Sequence, residues 1–125
     1  MSMNEKQRQE WENTLRKLQL LEDSDSIQEQ VMANWCKVFM SQTKGNCFFT
    51  NEKFIFVSSL GFDHFVIRYN DIKEIGKCRV GVMPMGMYVV AEDTEKAKQK
   101  KYKISVMKRD HWLALLSEKA GVNIM

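Results

Sequence analysis

The sequence has 125 residues, of which 44% are hydrophobic and 28% charged, and its formal net charge is +3 at pH 7. Such a length and composition are typical of one globular domain that forms its core without disulfides or a metal. The small net charge gives no argument for binding nucleic acid, and we expect no nucleic-acid partner.

The N-terminal residues and the cysteines both indicate the cytoplasm. The opening run MSMNEKQRQEWENTL contains no apolar segment typical of a secretory signal. No apolar run approaches the roughly 20 residues that a helix needs to cross a bilayer. Cys36, Cys47 and Cys78 have the spacing of neither a metal site nor a redox pair. We therefore expect cytoplasmic localisation, with reduced cysteines buried as small hydrophobic residues.

The first predicted element is a helix over about residues 4–22. Asn4 is placed to cap it, and Gln7 is placed to reach back to the cap. An apolar stripe recurs at helical spacing, formed by Trp11, Leu15, Leu18 and Leu21. Further on, Ser26 and Glu29 have the spacing of a capping box, which predicts a short second helical turn.

From residue 33 onward, runs of aromatic and β-branched residues between turns predict seven short strands. In GNCFFTNEKFIFVSS, residues 45–59, two apolar runs flank a polar turn and predict a hairpin. Strand alternation places Phe54 and Phe56 on one face and Ile55 and Val57 on the other. Further along, Pro84 predicts a break in the chain, because proline cannot donate to a ladder.

The chain closes with RDHWLALLSEKAG, which predicts an amphipathic helix stopped by Gly121. Its predicted apolar face consists of Trp112, Leu115, Leu116 and Ala120. The predicted fold class is therefore mainly β (α+β): a bent sheet or partly open barrel of seven antiparallel strands. The closing helix would cover the apolar opening of the barrel.

Three segments resemble the GRAM domain and the bacterial pleckstrin-homology (PH)-like domain family. The first carries Gly45, Phe48, Thr50-Asn51, Ile55-Phe56 and Ser58 at the spacing of the GRAM signature. The second is VIRYNDIKEI, with Asp71, Ile72 and Ile75, and the third is YKISVMKRDHWLALL. The resemblance covers residues 33–121 and implies a PH-like seven-stranded bent barrel capped by a C-terminal helix. The predicted division of the chain is an N-terminal helical extension (1–30), whose helix lies outside the resemblance, a GRAM/PH-like domain (31–121) and a C-terminal tail (122–125).

The resemblance implies a non-catalytic binding module without a cofactor, and the residues agree. His64 and His111 lack metal-ligand spacing, and the sequence contains no glycine-rich phosphate loop or nucleophile elbow. We expect both histidines to face solvent and predict no catalytic or metal-binding residue. The function that we expect first is interaction with a protein partner or with a second copy of the chain.

One candidate site is a lysine-rich loop for an anionic membrane surface, which is the alternative function. It consists of Lys96, Lys98, Lys100, Lys101 and Lys103, and the resemblance places it at the same open end as Lys44. Lysines near anionic lipid each contribute roughly 1 kcal/mol. The alternative is a solvated hairpin tip, whose lysines are partly neutralised by Glu92, Asp93 and Glu95.

Two further candidates are apolar interaction faces. Met83, Met85 and Met87 either form an adaptable protein-binding loop or pack in the core. The stripe of Trp11, Leu15, Leu18 and Leu21 either docks on its own barrel or joins two copies as a homodimer.

Overall fold

The computed structural model describes residues 3–38, 41–61, 63–80 and 83–125. In these residues one helix precedes a set of strands and another helix follows it. The elements are α1 (Glu5–Lys17), β1 (Ile27–Val38), β2 (Ser41–Thr50), β3 (Lys53–Ser58), β4 (His64–Arg68), a 3-10 turn (Tyr69–Asp71), β5 (Ile72–Val80), β6 (Met83–Asp93), β7 (Lys98–Val106) and α2 (Arg109–Ala120).

The strands form one seven-stranded antiparallel sheet in the order β4-β3-β2-β1-β7-β6-β5. Strand β1 pairs with β2 along most of its length but with β7 only over residues 33–36. It therefore joins the two halves of the sheet. Strands β4 and β5 are the two edges, so the barrel does not close. This confirms the predicted PH-like architecture, with a helix at each end of the chain.

Helix α2 covers the inner face of the sheet, as predicted. Trp112, Leu113 and Leu116 are buried, and the Trp112 ring stacks on Phe49 with centroids 5.2 Å apart. Gly121 ends the helix with a φ of +70°, a left-handed conformation in which glycine has no Cβ penalty. The helix and the inner faces of the strands enclose the larger of two apolar clusters.

Helix α1 covers the outer face of β2 and β3, so β3 is buried on both sides. Phe54 and Phe56 belong to the inner cluster, whereas Ile55 and Val57 belong to a second cluster beneath α1. The predicted alternation of faces along β3 is therefore confirmed. The predicted capping box at the start of α1 is also present, since Asn4 accepts from the Gln7 N–H at 2.8 Å.

The predicted extent of the first helix and the predicted second helical turn were wrong. Helix α1 ends at Lys17, because Gln19 adopts a φ of +62° that a helix cannot contain. No helix forms at Ser26, since β1 already begins at Ile27, and Ile27 pairs with Thr50 at the end of β2. Tertiary pairing with β2 therefore overrides the local capping signal, and β1 reaches into the predicted 1–30 extension.

The predicted break at Pro84 was also wrong, because Pro84 lies within β6. It is near the start of the strand, where the register with β5 is irregular and a missing N–H costs no regular ladder bond. Its carbonyl oxygen accepts a hydrogen bond from the guanidinium of Arg109 at the start of α2.

Candidate functional site

A cleft of about 690 Å³ lies at the open end of the barrel. We call it the open-end cleft. One wall is the whole of β4, and the opposite wall is the end of β6 with the turn that leads into β7. The cleft lies along β4, which is one of the two edges of the sheet.

Three aromatic side chains form the floor of the open-end cleft: Trp35, Phe65 and Tyr102. The Phe65 ring lies 4.9 Å from Trp35 and 4.5 Å from Tyr102, measured between centroids. The ammonium of Lys100 sits over the same rings, 5.2 Å from the Tyr102 centroid and 5.9 Å from that of Trp35. The floor is therefore apolar, and its one ammonium group is held against the aromatic faces.

Four carboxylates line the cleft: Asp71, Glu92, Asp93 and Glu95. None of them forms an ion pair within the described parts of the chain. Burial, together with the nearby Asp93 carboxylate, raises the pKa of Tyr102 above its ordinary value. The side of the β6–β7 hairpin that faces the cleft is therefore acidic, although the hairpin is rich in lysine.

The predicted lysine cluster is divided between two faces by strand alternation. Lys100 points inward onto the cleft floor, whereas Lys101 lies 4.4 Å from the ring centroid of Tyr88 on the outer face. Lys98 lies on the same face as Lys100, and Lys103 on the same face as Lys101, because each pair is two residues apart, while Lys96 lies in the turn. The structure therefore does not gather these lysines into one patch.

Lys44 lies apart from those lysines. It is exposed on β2 and faces Asn34 of β1 in the register of the sheet. Lys44 lines two smaller cavities, of about 210 and 360 Å³, neither of which includes residues 96–103. The structure therefore does not bring it together with the lysine-rich hairpin.

The predicted methionine face is only partly exposed. Met87 is fully buried in the core, and the side chain of Met83 lies outside the described part. Met85 is half-buried and lines the 210 Å³ cavity with Met32 and Met107, which are 58% and 68% exposed. Sequence reasoning missed Met32 and Met107, because they are far from Met85 in the chain and only the sheet brings the three together.

The N-terminal stripe packs on the protein's own sheet. The Trp11 ring lies 4.9 Å from that of Phe48, and Leu15 and Leu21 are buried in the same cluster. Leu18 caps the helix and is 40% exposed. The stripe therefore docks on the protein's own sheet, which is the first of its two alternatives.

A buried polar network lies beneath the same segment, and sequence reasoning missed two of its members, Asp25 and Lys53. Asp25 accepts from the Thr50 hydroxyl at 2.7 Å, and the Lys53 ammonium donates to the Leu20 carbonyl at 3.2 Å. Lys53 also pairs with Glu22 at 3.1 Å, which lowers the pKa of Glu22. The Thr50-Asn51 motif therefore anchors the N-terminal segment to the sheet.

Three carboxylates of this region, Glu22, Asp25 and Glu52, come within 4.8 Å of one another. Lys53 and Arg68 pair with Glu22, and Arg68 also lies 3.9 Å from Glu52. Asp25 instead accepts hydrogen bonds from Thr50, Ser26 and Asn51. An acidic group with its own ammonium and guanidinium partners is a structural ion-pair network.

The cysteines are buried or half-buried, whereas the histidines are exposed. Cys47 is fully buried, and burial raises the pKa of its thiol far above the ordinary range. Cys36 and Cys78 are half-buried, less than expected, and burial also raises the pKa of Cys78. His64 and His111 are exposed, as predicted.

Comparison with solved structures gives the fold. The C-terminal domain of an unknown protein from Leishmania infantum is 18% identical, with a TM-score of 0.68 over 90% of this chain and 95% of that one. The hSac2 domain of the human phosphoinositide phosphatase Sac2 is 9% identical, with a TM-score of 0.65 over 99% and 90%. The DH/PH domains of PDZ-RhoGEF, solved in complex with GTP-gamma-S-activated RhoA, are 10% identical, with a TM-score of 0.65 over 89% and 33%.

These neighbours support a PH-like fold. At such identities the likeness is one of fold alone, and the chain spans about a third of the RhoGEF fragment, 33% of its length. No protein-family model matches the sequence, and no curated protein matches it. Membership of the GRAM family therefore stays a prediction.

None of the helices in the described residues is long and apolar enough to cross a membrane.

Proposed function

We propose that this protein is a non-catalytic, cytoplasmic binding module that recognises another protein through the open-end cleft. The observation that carries the proposal is the composition of the cleft. An aromatic floor of Trp35, Phe65 and Tyr102 lies beside four carboxylates that have no ion-pair partner among the described residues. A concave surface that combines an aromatic floor with convergent charged groups is typical of a recognition site.

The charge of the cleft favours a protein over an anionic lipid. The carboxylates of Asp71, Glu92, Asp93 and Glu95 would repel a phosphate group, and Lys100 is held over aromatic rings rather than among other lysines. A PH-like neighbour, PDZ-RhoGEF, is known in complex with a protein, RhoA.

Site-specific photocrosslinking tests the proposal. A photoreactive benzoyl-phenylalanine replaces Thr94 at the mouth of the cleft or, as the control, exposed Glu118 on α2. After irradiation in extracts of cells that naturally express the chain, we expect a discrete protein adduct from position 94 and none from position 118. Adducts from neither position, or equal adducts from both, would contradict recognition through the cleft.

The second candidate function is binding to an anionic membrane surface. Two observations favour it: Lys101 and Lys103 share the outer face of β7, and Leu60, in the turn between β3 and β4, is 81% exposed. The test is flotation with phosphatidylserine vesicles at low and high salt. Binding that salt abolishes, and that is lost when Lys98, Lys100 and Lys101 are changed to Glu, would support this function.

A further inference from the structure

We propose that the open edge of β4 binds an extended, lysine- or arginine-rich segment of the partner protein as an added strand. This inference rests on the proposed function and specifies the chemistry of the partner. It follows from the backbone of β4, from the occupation of the other sheet edge and from the charge of the cleft.

The backbone of β4 leaves one set of hydrogen-bonding groups unpaired. Among the described residues, β4 pairs with β3 alone. The bonds at its two ends show which pairs are hydrogen-bonded: Ser58 N–H donates to the Asp63 carbonyl at 2.8 Å, and Tyr69 N–H donates to the Glu52 carbonyl at 3.2 Å. Bonded pairs alternate with non-bonded pairs in an antiparallel ladder. The N–H and C=O groups that point away from β3, towards the cleft, are therefore those of His64, Val66 and Arg68.

The other edge of the sheet already carries a segment of the chain. Ile124 forms a parallel bridge with Ile75 of β5, and Met125 N–H donates to the Ile75 carbonyl at 2.9 Å. The edge of β4 therefore differs from that of β5, because it opens onto the cleft and has no such covering segment among the described residues. Unpaired strand edges are the surfaces that bind a further strand.

The side chains around this edge select an extended, amphipathic segment. An added strand would present alternate side chains to opposite faces. One set would meet the floor of Phe65 and Tyr102. The other set would lie on the opposite face of β4, where Val66 is 36% exposed. Apolar residues at every second position of the partner fit this floor. Five residues of β4 span about 17 Å, so the segment needs about five or six residues.

The charge of the cleft selects basic residues at the remaining positions. In the part of the chain that the structure describes, the four carboxylates of the cleft have no ion-pair partners, whereas Arg68 of β4 already pairs with Glu22 at 3.3 Å and Glu52 at 3.9 Å. An acidic segment would meet uncompensated repulsion, and a basic one would find attraction without displacing an existing ion pair.

The test uses a fluorescein-labelled octapeptide of sequence Lys-Val-Lys-Phe-Lys-Val-Lys-Thr and a matched peptide with Glu at each Lys position. Two further versions of the basic peptide carry N-methyl groups on the backbone: one on the amides of the Lys positions, the other on the amides of the intervening positions. Only one of these sets faces β4 in an added strand, so we expect only one N-methylated version to lose binding. Binding is measured by fluorescence anisotropy against the full chain.

Protein variants give an independent readout. Changing Glu92 and Glu95 to Lys should weaken binding of the basic peptide about tenfold, whereas Glu118→Lys on α2 should leave it unchanged. Val66→Pro removes an N–H that faces the cleft and makes no bond to β3, so it should abolish binding, with Val66→Thr as its control. If Val66→Pro does not fold, the charge variants and the N-methylated peptides still test whether the peptide binds as an added strand.

Amide hydrogen exchange locates the bound peptide. In the free protein we expect fast exchange at His64, Val66 and Arg68 and slow exchange at Phe65 and Ile67, which bond to β3. Peptide binding should slow the first set at least tenfold and leave the second set unchanged.

Four outcomes would overturn the inference: no saturable binding of the basic peptide, equal binding of the acidic one, indifference to N-methylation, or protection confined to another surface. In each case an intact photocrosslink from position 94 would show that protein recognition stands and only strand addition has failed. Concentration-dependent dimerisation that Val66→Pro abolishes, without peptide binding, would instead assign the edge to a second copy of the chain.

Discussion

The hydroxyl of Thr50 donates to a carboxylate oxygen of Asp25 at 2.7 Å, and both residues are buried. The other oxygen of Asp25 accepts the backbone N–H groups of Ser26 at 2.8 Å and Asn51 at 3.0 Å. A buried carboxylate is tolerated only when such bonds replace its water. This contact therefore links the segment after α1 to the β2–β3 turn, and makes the N-terminal helix part of the domain's packing.

The first prediction concerns this contact. Thr50→Val keeps the shape of the side chain but leaves Asp25 without one of its donors, so we expect a loss of about 2 kcal/mol in the free energy of unfolding. Urea unfolding followed by tryptophan fluorescence measures it. The control is Thr14→Val, which removes a hydroxyl that donates to Glu10 on the exposed side of α1, and should change stability by less than about 0.5 kcal/mol. Equal effects would contradict a special role for the buried bond.

The second prediction separates packing from self-association in the N-terminal stripe. Leu15 is fully buried, so Leu15→Ala should cost about 2–5 kcal/mol of stability through the cavity it leaves. Leu18 is 40% exposed, and Leu18→Ala should have little effect on stability. Urea unfolding of both variants checks this.

Light scattering after size exclusion then tests the predicted homodimer. If the exposed part of the stripe joins two copies, Leu18→Ala should have a lower measured mass than wild type. If the stripe only docks on its own sheet, the two masses should be equal. A chain that starts at Ser26 is a poor probe, because it uncovers Phe48, Ile55 and Val57 beneath α1. We expect that shortened chain to aggregate.

Alternating and helical apolar patterns predicted most of the fold, because burial imposes them directly. The faces of Phe54, Phe56, Ile55 and Val57 and the end of α2 at Gly121 follow from such local rules. The start of β1 at Ile27 does not, because only pairing with β2, far along the chain, makes this segment a strand. A capping signal at Ser26 is weaker than that ladder.

The open-end cleft could not be predicted, because its residues come together only through the twist and order of the sheet. Trp35, Phe65 and Tyr102 lie on three strands that are not consecutive in the chain. The prediction of one lysine-rich site failed for a related reason. Residues 98–103 form one basic run in the sequence, but strand alternation places Lys100 over the aromatic floor and Lys101 over Tyr88. A charge run becomes a surface only when the backbone puts it on one face.

The third prediction concerns pH. The bond and charge of Lys53, followed by the charge of Arg68, hold the pKa of Glu22 below its ordinary value of 4.5. A group whose pKa is lower in the folded state stabilises the fold above its unfolded pKa, and this contribution is lost as the pH falls through the folded value. Glu22→Gln should therefore destabilise the protein at pH 7 and much less at pH 3.

The difference at pH 7 should stay below about 1 kcal/mol, since the Glu22 side chain is 44% exposed and solvent screens the pair. Urea midpoints of wild type and Glu22→Gln at the two pH values measure it, and the other carboxyl groups cancel in the comparison. Glu118→Gln, on the exposed side of α2, should leave the midpoint unchanged at both. A difference for Glu22→Gln that persists undiminished at pH 3 would rule out the ion pair as its cause.

The fourth prediction concerns Gly45, where β2 packs tightly against the backbone of β3. A Cβ at this position would lie 2.2 Å from the Val57 carbonyl oxygen and 2.8 Å from the Ser58 Cα, both of them backbone atoms. Because β3 is packed between the core and α1, it cannot move away, and Gly45→Ala should cost about 3 kcal/mol or more. Gly61→Ala is the matched control: nothing lies near its Cβ, and its φ of +78° alone should cost about 1 kcal/mol. Thermal and urea unfolding of the two variants should rank them in that order, and a milder effect at Gly45 would mean that β2 and β3 can separate without disturbing α1.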